Sequence, residues 1–327
     1  MKRVSEIATD ISSIDQNIRR KKWIDSLRAV AMILVVYGHC VKGWTVFYVF
    51  TSPVKMPLFF VISGYLFNPR NGDIKAFLKN LFHKLVVPWL ILGMIHPTNP
   101  LSRFLDLLSG KALWFMPCLI IGEIVWFFIR KYANKDWQVV VFGFIVGALG
   151  YLLSQYHILD CAMLNTAFIV QIFFIIGYLF HHFEDQILNK WGWILSLGLV
   201  LYLCLTVMSL YVFPGSFIDV HLNYYINILY AVCVILLGCL VLFVGFRHYN
   251  IGTKWLSYIG QNTLVIYIVH GMGINLFAKV IPDGLLGLPL PFYAFFRMVF
   301  ALIVCCLLAG FLNRFFPIVV GKRGSIR

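Results

Sequence analysis

"DSLRAVAMILVVYGHC", residues 25–40, is an apolar stretch with an arginine near its beginning and a histidine near its end. Its hydropathy is typical of a membrane-spanning helix, in which a charged side chain at the centre costs about 2.5–3.5 kcal/mol on insertion scales. Arg28 and His39 are eleven residues apart, so a helix places them on one face, about 16 Å from each other. Arg28 alone can extend to the lipid headgroups. His39 lies too deep for that and needs a polar cavity or a hydrogen-bonding partner.

The rest of the chain repeats the apolar pattern of this stretch. Of its 327 residues, 61% are hydrophobic and only 12% are charged, whereas about 25% are charged in ordinary soluble domains. This composition excludes a soluble globular protein and predicts an all-α, polytopic transmembrane helical bundle, because a run of about 17–25 apolar residues crosses the hydrocarbon core as a helix. We predict about ten spans, at residues 26–47, 54–68, 85–97, 113–129, 137–153, 163–181, 191–213, 224–245, 255–279 and 292–315.

The basic residues are distributed unequally between the two sides of the predicted membrane. If the N-terminus is cytoplasmic, 21 of the 27 Lys and Arg residues fall on that side. By the positive-inside rule, this bias predicts that both termini face the cytoplasm. We therefore interpret the net charge of +14 as a topology signal that also attracts anionic membrane lipids, and we expect no nucleic-acid partner. The predicted location is the bacterial cytoplasmic (inner) membrane.

The predicted organisation has three parts. Residues 1–24 form a basic, amphipathic N-terminal segment in the cytoplasm, residues 25–316 form the membrane domain, and residues 317–327 form a basic cytoplasmic tail. An apolar stripe at intervals of three and four residues runs along the first part and consists of Val4, Ile7, Ile11, Ile14 and Ile18. This stripe predicts a helix lying on the cytoplasmic leaflet, with a homodimer contact as the alternative.

The loop after the second predicted span has an amphipathic pattern as well. In "NPRNGDIKAFLKNLFHKLVVPW", residues 68–89, turn residues precede a segment in which apolar and basic side chains fall on different sides of a helix. We predict a basic amphipathic helix at the cytoplasmic surface. Its expected apolar face consists of Ile74, Phe77, Leu78 and Leu81.

Two further ionisable residues lie inside predicted spans. Glu123 is the acidic residue that lies well inside an apolar run, either as a structural partner of a buried Arg, His or Ser or as an orienting or charge-stabilising group. His270 lies at a depth that matches His39 if both helices rise from the cytoplasm, so the two rings could share a cavity; a structural histidine is the alternative. The sequence has no metal-ligand spacing, no P-loop and no G-x-S-x-G elbow. We therefore expect no metal site and no coupling to ATP.

Four stretches follow one another in a characteristic order along nearly the whole chain. They are "LRAVAMILVVYGH" at 27–39, "MPLFFVISGYLF" at 56–67, "LWFMPCLI" at 113–120 and "GQNTLVIYIVH" at 260–270. Together they resemble the acyltransferase-3 family of integral membrane acyltransferases, and within it the branch described as fucose 4-O-acetylase-like. The chain departs from the family at one place. The R-x-x-x-R pair of some members is missing after the second span, where the basic residues are Arg70, Lys75, Lys79 and Lys84.

The resemblance implies a membrane-bound O-acyltransferase. Such a protein moves an acyl group, usually acetyl, from cytoplasmic acetyl-CoA to a hydroxyl of a cell-surface or lipid-linked carbohydrate. Acetyl-CoA is then the acyl donor, and no permanently bound cofactor is expected. The resemblance also implies the roles of individual residues. His39 acts as general base or accepts the acyl group transiently, and either Glu123 or His270 orients it or stabilises its charged form.

The same resemblance implies two sets of binding residues. The donor's phosphates would be bound at the cytoplasmic mouth by basic side chains, for which the candidates are Arg28, Arg70, Lys75, Lys79 and Lys84. The candidates for lining the substrate cavity are Ser63, Trp114, Asn262 and Thr263, with helix packing as the alternative for each.

A transporter or flippase for a small solute or lipid-linked sugar is the main alternative function. It would also need polar groups near the membrane centre, but it would leave the thioester intact. Transporters often have broken helices in two repeated halves, and the sequence has no such duplication. A signalling or scaffold protein would leave Arg28, His39 and Glu123 unexplained.

Overall fold

Helices make up nearly all of the chain that the computed structural model describes, namely residues 22–41, 43, 45–69, 72–96, 98–158, 161–212, 218–225, 227–282, 285 and 287–322. They are α1 (Lys22–Cys40), α2 (Thr45–Lys55), α3 (Pro57–Leu66), α4 (Ile74–Leu81), α5 (Val87–Gly93), α6 (Pro100–Ser109), α7 (Phe115–Tyr132), α8 (Asp136–Gln155), α9 (Leu164–Ile169), α10 (Gln171–His182), α11 (Glu184–Asn189), α12 (Trp191–Val212), α13 (Ile228–His248), α14 (Lys254–Gln261), α15 (Thr263–Val280) and α16 (Leu290–Phe315). A π-helical segment, Phe82–Val86, joins α4 to α5, and a 3-10 helix, Pro317–Val320, follows α16. The predicted N-terminal stripe and Arg70 lie outside the described residues.

Nine segments of the described chain are long and apolar enough to cross a membrane. They are Lys22–Cys40, Val46–Leu66, Ile74–Gly93, Asp136–Gln155, Leu164–His182, Trp191–Val212, Ile228–His248, Thr263–Val280 and Leu290–Phe315. α7 is a further helix of 18 residues, and it contains three charged residues, Glu123, Arg130 and Lys131. The predicted all-α, polytopic helical bundle is confirmed.

The first two spans have other boundaries than predicted. α1 ends at Cys40 instead of continuing to residue 47, and Gly43 follows with a backbone φ of +81°, a left-handed conformation that favours glycine. The chain turns back here, and α2 and α3 together form the second span, Val46–Leu66. The predicted boundaries were wrong because the turn lies within a sequence that remains largely apolar.

The predicted surface helix after the second span is continuous with the third span. α4, the π-helical segment and α5 form one stretch, Ile74–Gly93, so the separate short span predicted at 85–97 was wrong. The predicted apolar face is correct for Phe77 and Leu81, which are buried, whereas Leu78 is exposed. This stretch therefore leads from the surface into the bundle without a break.

α1 is the central helix of the bundle. It packs against α2, α3, α13, α14, α15 and α16. Its closest approach is to α14, where a Cβ added to Gly260 would lie 1.8 Å from the carbonyl oxygen of Asp25, a distance that excludes every side chain. Next to this contact, Gln261 donates a hydrogen bond to the buried Asp25 carboxylate (3.3 Å). Helices from both ends of the chain therefore meet at α1.

α3 and α10 pack backbone against backbone. A Cβ added to Gly64 would lie 2.3 Å from the carbonyl oxygen of Phe174, and a Cβ on Gly177 would lie 1.9 Å from that of Val61. Small residues commonly allow such close approach between helices in membranes, where lipid is as apolar as the protein interior. Gly64, which follows Ser63 in the second of the four quoted stretches, thus has a packing role.

The helix ends that adjoin the basic loops lie together at one face of the bundle. Tyr65 at the end of α3 donates a hydrogen bond to Glu184 of α11 (2.6 Å), and Arg247 at the end of α13 forms an ion pair with the same carboxylate. His182 and Asp136 form a further pair at 3.1 Å. We call this face of the bundle the basic face and the opposite one the far face.

The contact between α3 and α10 gives a prediction for stability. We expect Gly177→Ala to prevent correct packing, because the added Cβ overlaps the carbonyl oxygen of Val61 and neither backbone can move alone. The measurement is the fraction of protein that is monodisperse in detergent and its melting temperature. Gly192→Ala is the matched control, since nothing lies within 4 Å of its added Cβ. A Gly177→Ala protein that melts like wild type would contradict the described packing.

Candidate active site

His39 of α1 and His270 of α15 lie side by side. Their ring centroids are 5.0 Å apart, and the ring planes are inclined by 42°, so the two residues do lie at matching depth. His270 is only 9% exposed, whereas His39 is exposed. Within the described chain, no group of three or more His, Cys, Asp or Glu side chains could hold a metal ion. The pair therefore consists of one exposed ring, His39, and one buried ring, His270.

Backbone carbonyl groups determine which nitrogen of His270 is protonated. Its Nδ1 lies 2.7 Å from the carbonyl oxygen of Tyr267 and 3.2 Å from that of Ile266. Because a carbonyl oxygen can only accept, Nδ1 must donate, and in the uncharged ring the lone pair then belongs to Nε2. His270 is thus arranged to accept a hydrogen bond or a proton through Nε2.

The end of α1 next to His39 is held by α2. Tyr48 donates a hydrogen bond to the carbonyl oxygen of Gly38 (2.6 Å), and the Lys55 ammonium lies 4.5 Å from the centroid of the Tyr48 ring. These contacts satisfy a carbonyl group that a helix end leaves without an intrahelical partner. They fix the last turn of α1 and, with it, the position of His39.

Arg28, nearer the basic face on α1, belongs to a cluster of charged side chains. The Arg28 guanidinium and the Lys84 ammonium both interact electrostatically with the Glu123 carboxylate. Arg28 and Glu123 are partly buried, and Lys84 is exposed. Glu123 thus lies with the cations, whereas His270 lies beside His39, and which of the two orients His39 or stabilises its charged form stays a prediction.

The backbone at Lys84 has an unusual conformation. Lys84 lies in the π-helical segment, a type of helical bulge that is often found at functional sites. The C-terminal 3-10 helix packs against α5, and a Cβ added to Gly321 just after it would lie 2.8 Å from the Lys84 carbonyl oxygen. The segment that follows α16 therefore helps to position Lys84.

The other predicted donor-binding cations are not part of this described cluster. Lys75 and Lys79 are exposed on α4, and Arg70 lies outside the described residues. Of the five predicted cations, the structure thus brings Arg28 and Lys84 to one carboxylate. A donor-binding role stays a prediction for all five.

Asn262 and Thr263 stabilise the junction between α14 and α15. The Asn262 amide donates to the carbonyl oxygen of Tyr258 (2.8 Å) and accepts from Asn313 (2.7 Å). The Thr263 hydroxyl donates to the carbonyl oxygen of Gly260 (3.2 Å). These contacts support the helix-packing alternative for both residues, and their cavity-lining role stays a prediction.

The two other cavity candidates have different surroundings. Ser63 is partly exposed on α3. Trp114 immediately precedes α7, and its ring stacks on His221 with centroids 5.0 Å apart and planes inclined by 23°. Trp114 therefore contacts the loop that follows α12, and the role of both residues in a substrate cavity stays a prediction.

Three residues around the histidine pair were not selected as site residues from the sequence. The Tyr267 hydroxyl accepts a hydrogen bond from the backbone N–H of Phe115 (3.1 Å), which connects α15 to the first residue of α7. Arg297 of α16 interacts electrostatically with Cys40 next to His39, and Lys55 lies against α1 at the preceding residue, Gly38. A signal for the two cations existed, because both lie within apolar runs, where a charge is costly.

Comparison with known proteins identifies one family. The model of the acyltransferase domain of the acyltransferase-3 family matches residues 21–310, a range that contains Arg28, His39, Glu123 and His270. No curated protein and no solved structure gives a significant match.

The charged cluster gives a prediction for coupling between Arg28 and Glu123. In equilibrium unfolding in mixed micelles, we expect the double variant Arg28→Ala/Glu123→Ala to lose about 0.5–3 kcal/mol less stability than the two single variants together. The reason is that Glu123→Ala removes a carboxylate that interacts with Arg28, and Arg28→Ala removes one of the two cations that interact with Glu123, so each single variant changes the charge balance in the bundle. Asp185→Ala, exposed on α11, is the control and should add to Arg28→Ala without coupling. Strict additivity for Arg28 and Glu123 would contradict their interaction.

Proposed function

Because the chain belongs to the acyltransferase-3 family, we propose that this integral membrane acyltransferase moves an acetyl group from acetyl-CoA to a hydroxyl of a cell-surface or lipid-linked carbohydrate. Acyl transfer in a membrane follows from the family. The acetyl donor and the carbohydrate acceptor are our proposal. The proposal rests on two contacts of α1. His39, near one end of this helix, lies beside His270, and Arg28, nearer the other end, interacts with Glu123.

In the proposed reaction, His39 acts as general base. It accepts the proton of the acceptor hydroxyl while the hydroxyl oxygen attacks the thioester carbonyl carbon and forms a C–O bond. The tetrahedral intermediate then collapses, the C–S bond breaks, and the coenzyme A thiolate leaves with the proton from His39. In the alternative route, His39 first accepts the acetyl group and then passes it to the hydroxyl. Both routes need an accessible, uncharged His39 at the start.

His270 supports this role of His39. Two imidazolium rings 5.0 Å apart would repel each other by about 3 kcal/mol at an effective dielectric constant of 20, so this repulsion disfavours a second positive charge on the pair. The Nε2 lone pair of His270 can accept a hydrogen bond from the N–H of His39. We propose that this bond fixes the tautomer of His39 and directs its other nitrogen towards the acceptor hydroxyl.

The charged cluster is the proposed entrance for the donor. Arg28 and Lys84 with the single carboxylate of Glu123 have a net positive charge, which attracts the phosphate groups of acetyl-CoA, and a guanidinium can bind a phosphate with two hydrogen bonds. About 16 Å of helix separates Arg28 from His39. The pantetheine arm would run along this face of α1 and bring the thioester to the histidine pair.

We also propose an orientation of the protein in the membrane. The basic face would be cytoplasmic, with both termini on that side of a bacterial inner membrane, because Lys and Arg are enriched in cytoplasmic loops and acetyl-CoA is supplied from the cytoplasm. Membrane lipids would surround α8 and α12. In an apolar stretch of 18 residues in each helix, only 22% of the residues of α8 and 17% of those of α12 are buried inside the protein. A homodimer contact through the N-terminal stripe stays a prediction.

The proposed base gives the first prediction for activity. We expect His39→Ala to lower the rate of acetyl transfer by about 10²–10⁴-fold, the usual contribution of a general base. The assay follows label from radioactive acetyl-CoA into envelope glycans in membranes that contain equal amounts of protein. His248→Ala is the control, because His248 stacks on Trp191 (4.0 Å between centroids) at the basic face.

The same assay distinguishes the enzyme from a transporter. Wild-type acyl transfer by the His39→Ala protein would exclude His39 as base and as acyl acceptor. A transporter or flippase would bind its solute and leave acetyl-CoA intact, so the absence of any label in glycans with wild-type protein would refute the proposed reaction.

The proposed donor entrance gives a separate prediction. We expect Arg28→Ala to raise the KM for acetyl-CoA by about tenfold, since a charge-assisted hydrogen bond contributes about 1.5–3 kcal/mol. The KM for the acceptor should change little. Arg314→Ala, which removes an exposed arginine in the last turn of α16, is the matched control. An unchanged donor KM accompanied only by a lower protein level would show that Arg28 has a structural role alone.

A further inference from the structure

A cavity at the far face, distinct from the histidine pair, is lined mainly by hydrogen-bonding side chains. It has a volume of about 440 Å³, within the range of roughly 300–1,000 Å³ that is usual for small-molecule sites. It lies between the ends of α6 and α8, the start of α9 and the loop before α13. Its lining includes Lys111, Ser154, Thr166, His221 and Asn223. We call it the far cavity.

Two oxygen atoms of the cavity wall have no hydrogen-bond partner in the described part of the chain. They are the hydroxyl oxygen of Thr166 and the amide oxygen of Asn223. A buried polar atom without a partner costs about 1–3 kcal/mol, so native proteins usually satisfy such atoms with water or a ligand. The wall therefore has unused hydrogen-bonding capacity.

The histidine of the wall adds a donor and an acceptor. Burial lowers the pKa of His221, and the neighbouring Asp219 carboxylate opposes this shift. The lower pKa keeps the ring uncharged at neutral pH, where one nitrogen donates and the other accepts. Hydroxyl, amide and imidazole groups of this kind suit the hydroxyl groups of a sugar, each of which also donates and accepts.

A continuous series of contacts connects the far cavity to the histidine pair. His221 stacks on Trp114, the next residue donates its backbone N–H to the hydroxyl of Tyr267, and the carbonyl oxygen of Tyr267 accepts from His270. Trp114, Phe115 and Tyr267 thus stand between the cavity and His270. An acceptor with one sugar unit in the cavity and its reacting hydroxyl at His39 would have to extend past these three residues.

We propose that the far cavity binds a sugar unit next to the one that is acetylated, so that the acceptor is a saccharide of more than one unit. This inference rests on the proposed function and specifies its acceptor. Among the described lining residues there is a lysine and no carboxylate, so the unit is a neutral or an acidic sugar. The contact with the cavity contributes to acceptor binding and takes no part in the chemical step.

The test uses two substitutions that remove hydrogen-bonding groups and preserve the backbone. Thr166→Val retains the shape of the side chain, and Asn223→Gly retains the left-handed conformation at φ +53°, which glycine adopts readily. The matched controls are Thr206→Val, buried on α12, and Asn250→Gly, at φ +48° in an exposed turn. The acceptor probes are envelope glycans of the host cell, partly hydrolysed and separated into single sugars and oligosaccharides.

We expect each cavity variant to raise the KM for oligosaccharides by about 2–10-fold, which corresponds to the loss of one hydrogen bond. The kcat, the KM for acetyl-CoA and the KM for single sugars should match those of the controls. If the KM for oligosaccharides also matches the controls, the cavity holds only water and the inference is wrong.

A binding measurement separates this inference from the proposed function. Saturation-transfer NMR detects the same oligosaccharides on the protein without acetyl-CoA. If wild-type protein binds them, the cavity variants bind them about 2–10-fold more weakly, and no acetyl group is ever transferred, the cavity assignment holds and the proposed reaction is wrong. If acetyl is transferred while binding is equal in all variants, the reaction holds and the cavity assignment is wrong. Absence of both binding and transfer would overturn both.

Discussion

A charged or polar side chain inside an apolar bundle must find its partner within the bundle, and this constraint organises the structure around α1. Arg28 interacts with Glu123, which also interacts with Lys84, Asp25 accepts a hydrogen bond from Gln261, and His39 lies against His270. The partners of these α1 side chains come from α7, α14 and α15. A helix with several charged and polar side chains cannot face the lipid on all of them, because lipid provides no hydrogen-bonding partner. It occupies the centre, and the other helices pack around it.

The same constraint explains which positions of the candidate site the sequence could predict. The helical period alone places Arg28 and His39 on one face, and a comparison of depth alone places His270 at the level of His39. The sequence could not decide what Glu123 contacts, because that depends on how α7 packs. Nor does it indicate that Asn262 and Thr263 are engaged at a helix junction, or that the Tyr267 hydroxyl connects α15 to the start of α7.

The fold was predictable in type and less so in its boundaries. Hydropathy identifies apolar runs, but it does not reveal a turn that has apolar residues on both sides, such as the turn at Gly43. A hydropathy pattern also suggests two separate elements where an amphipathic segment adjoins an apolar one, although a single helical stretch can include both, as in Ile74–Gly93. Close contacts such as that of Gly64 with Phe174 join residues that are remote in sequence. They depend on tertiary packing, which no local pattern contains.

The central position of α1 has a consequence for how the protein is made. α1 is the first of the described spans to leave the ribosome, yet Gln261, the partner of Asp25, follows 236 residues later. At about 5–20 residues per second, the interval is on the order of 10–50 s. During that time the helices that pack against α1 in the folded bundle have not been synthesised. Lipid headgroups, the translocon or an insertion factor must therefore interact with the polar side chains of α1. The helix that bears the proposed base thus reaches its final surroundings only after the later spans have been made.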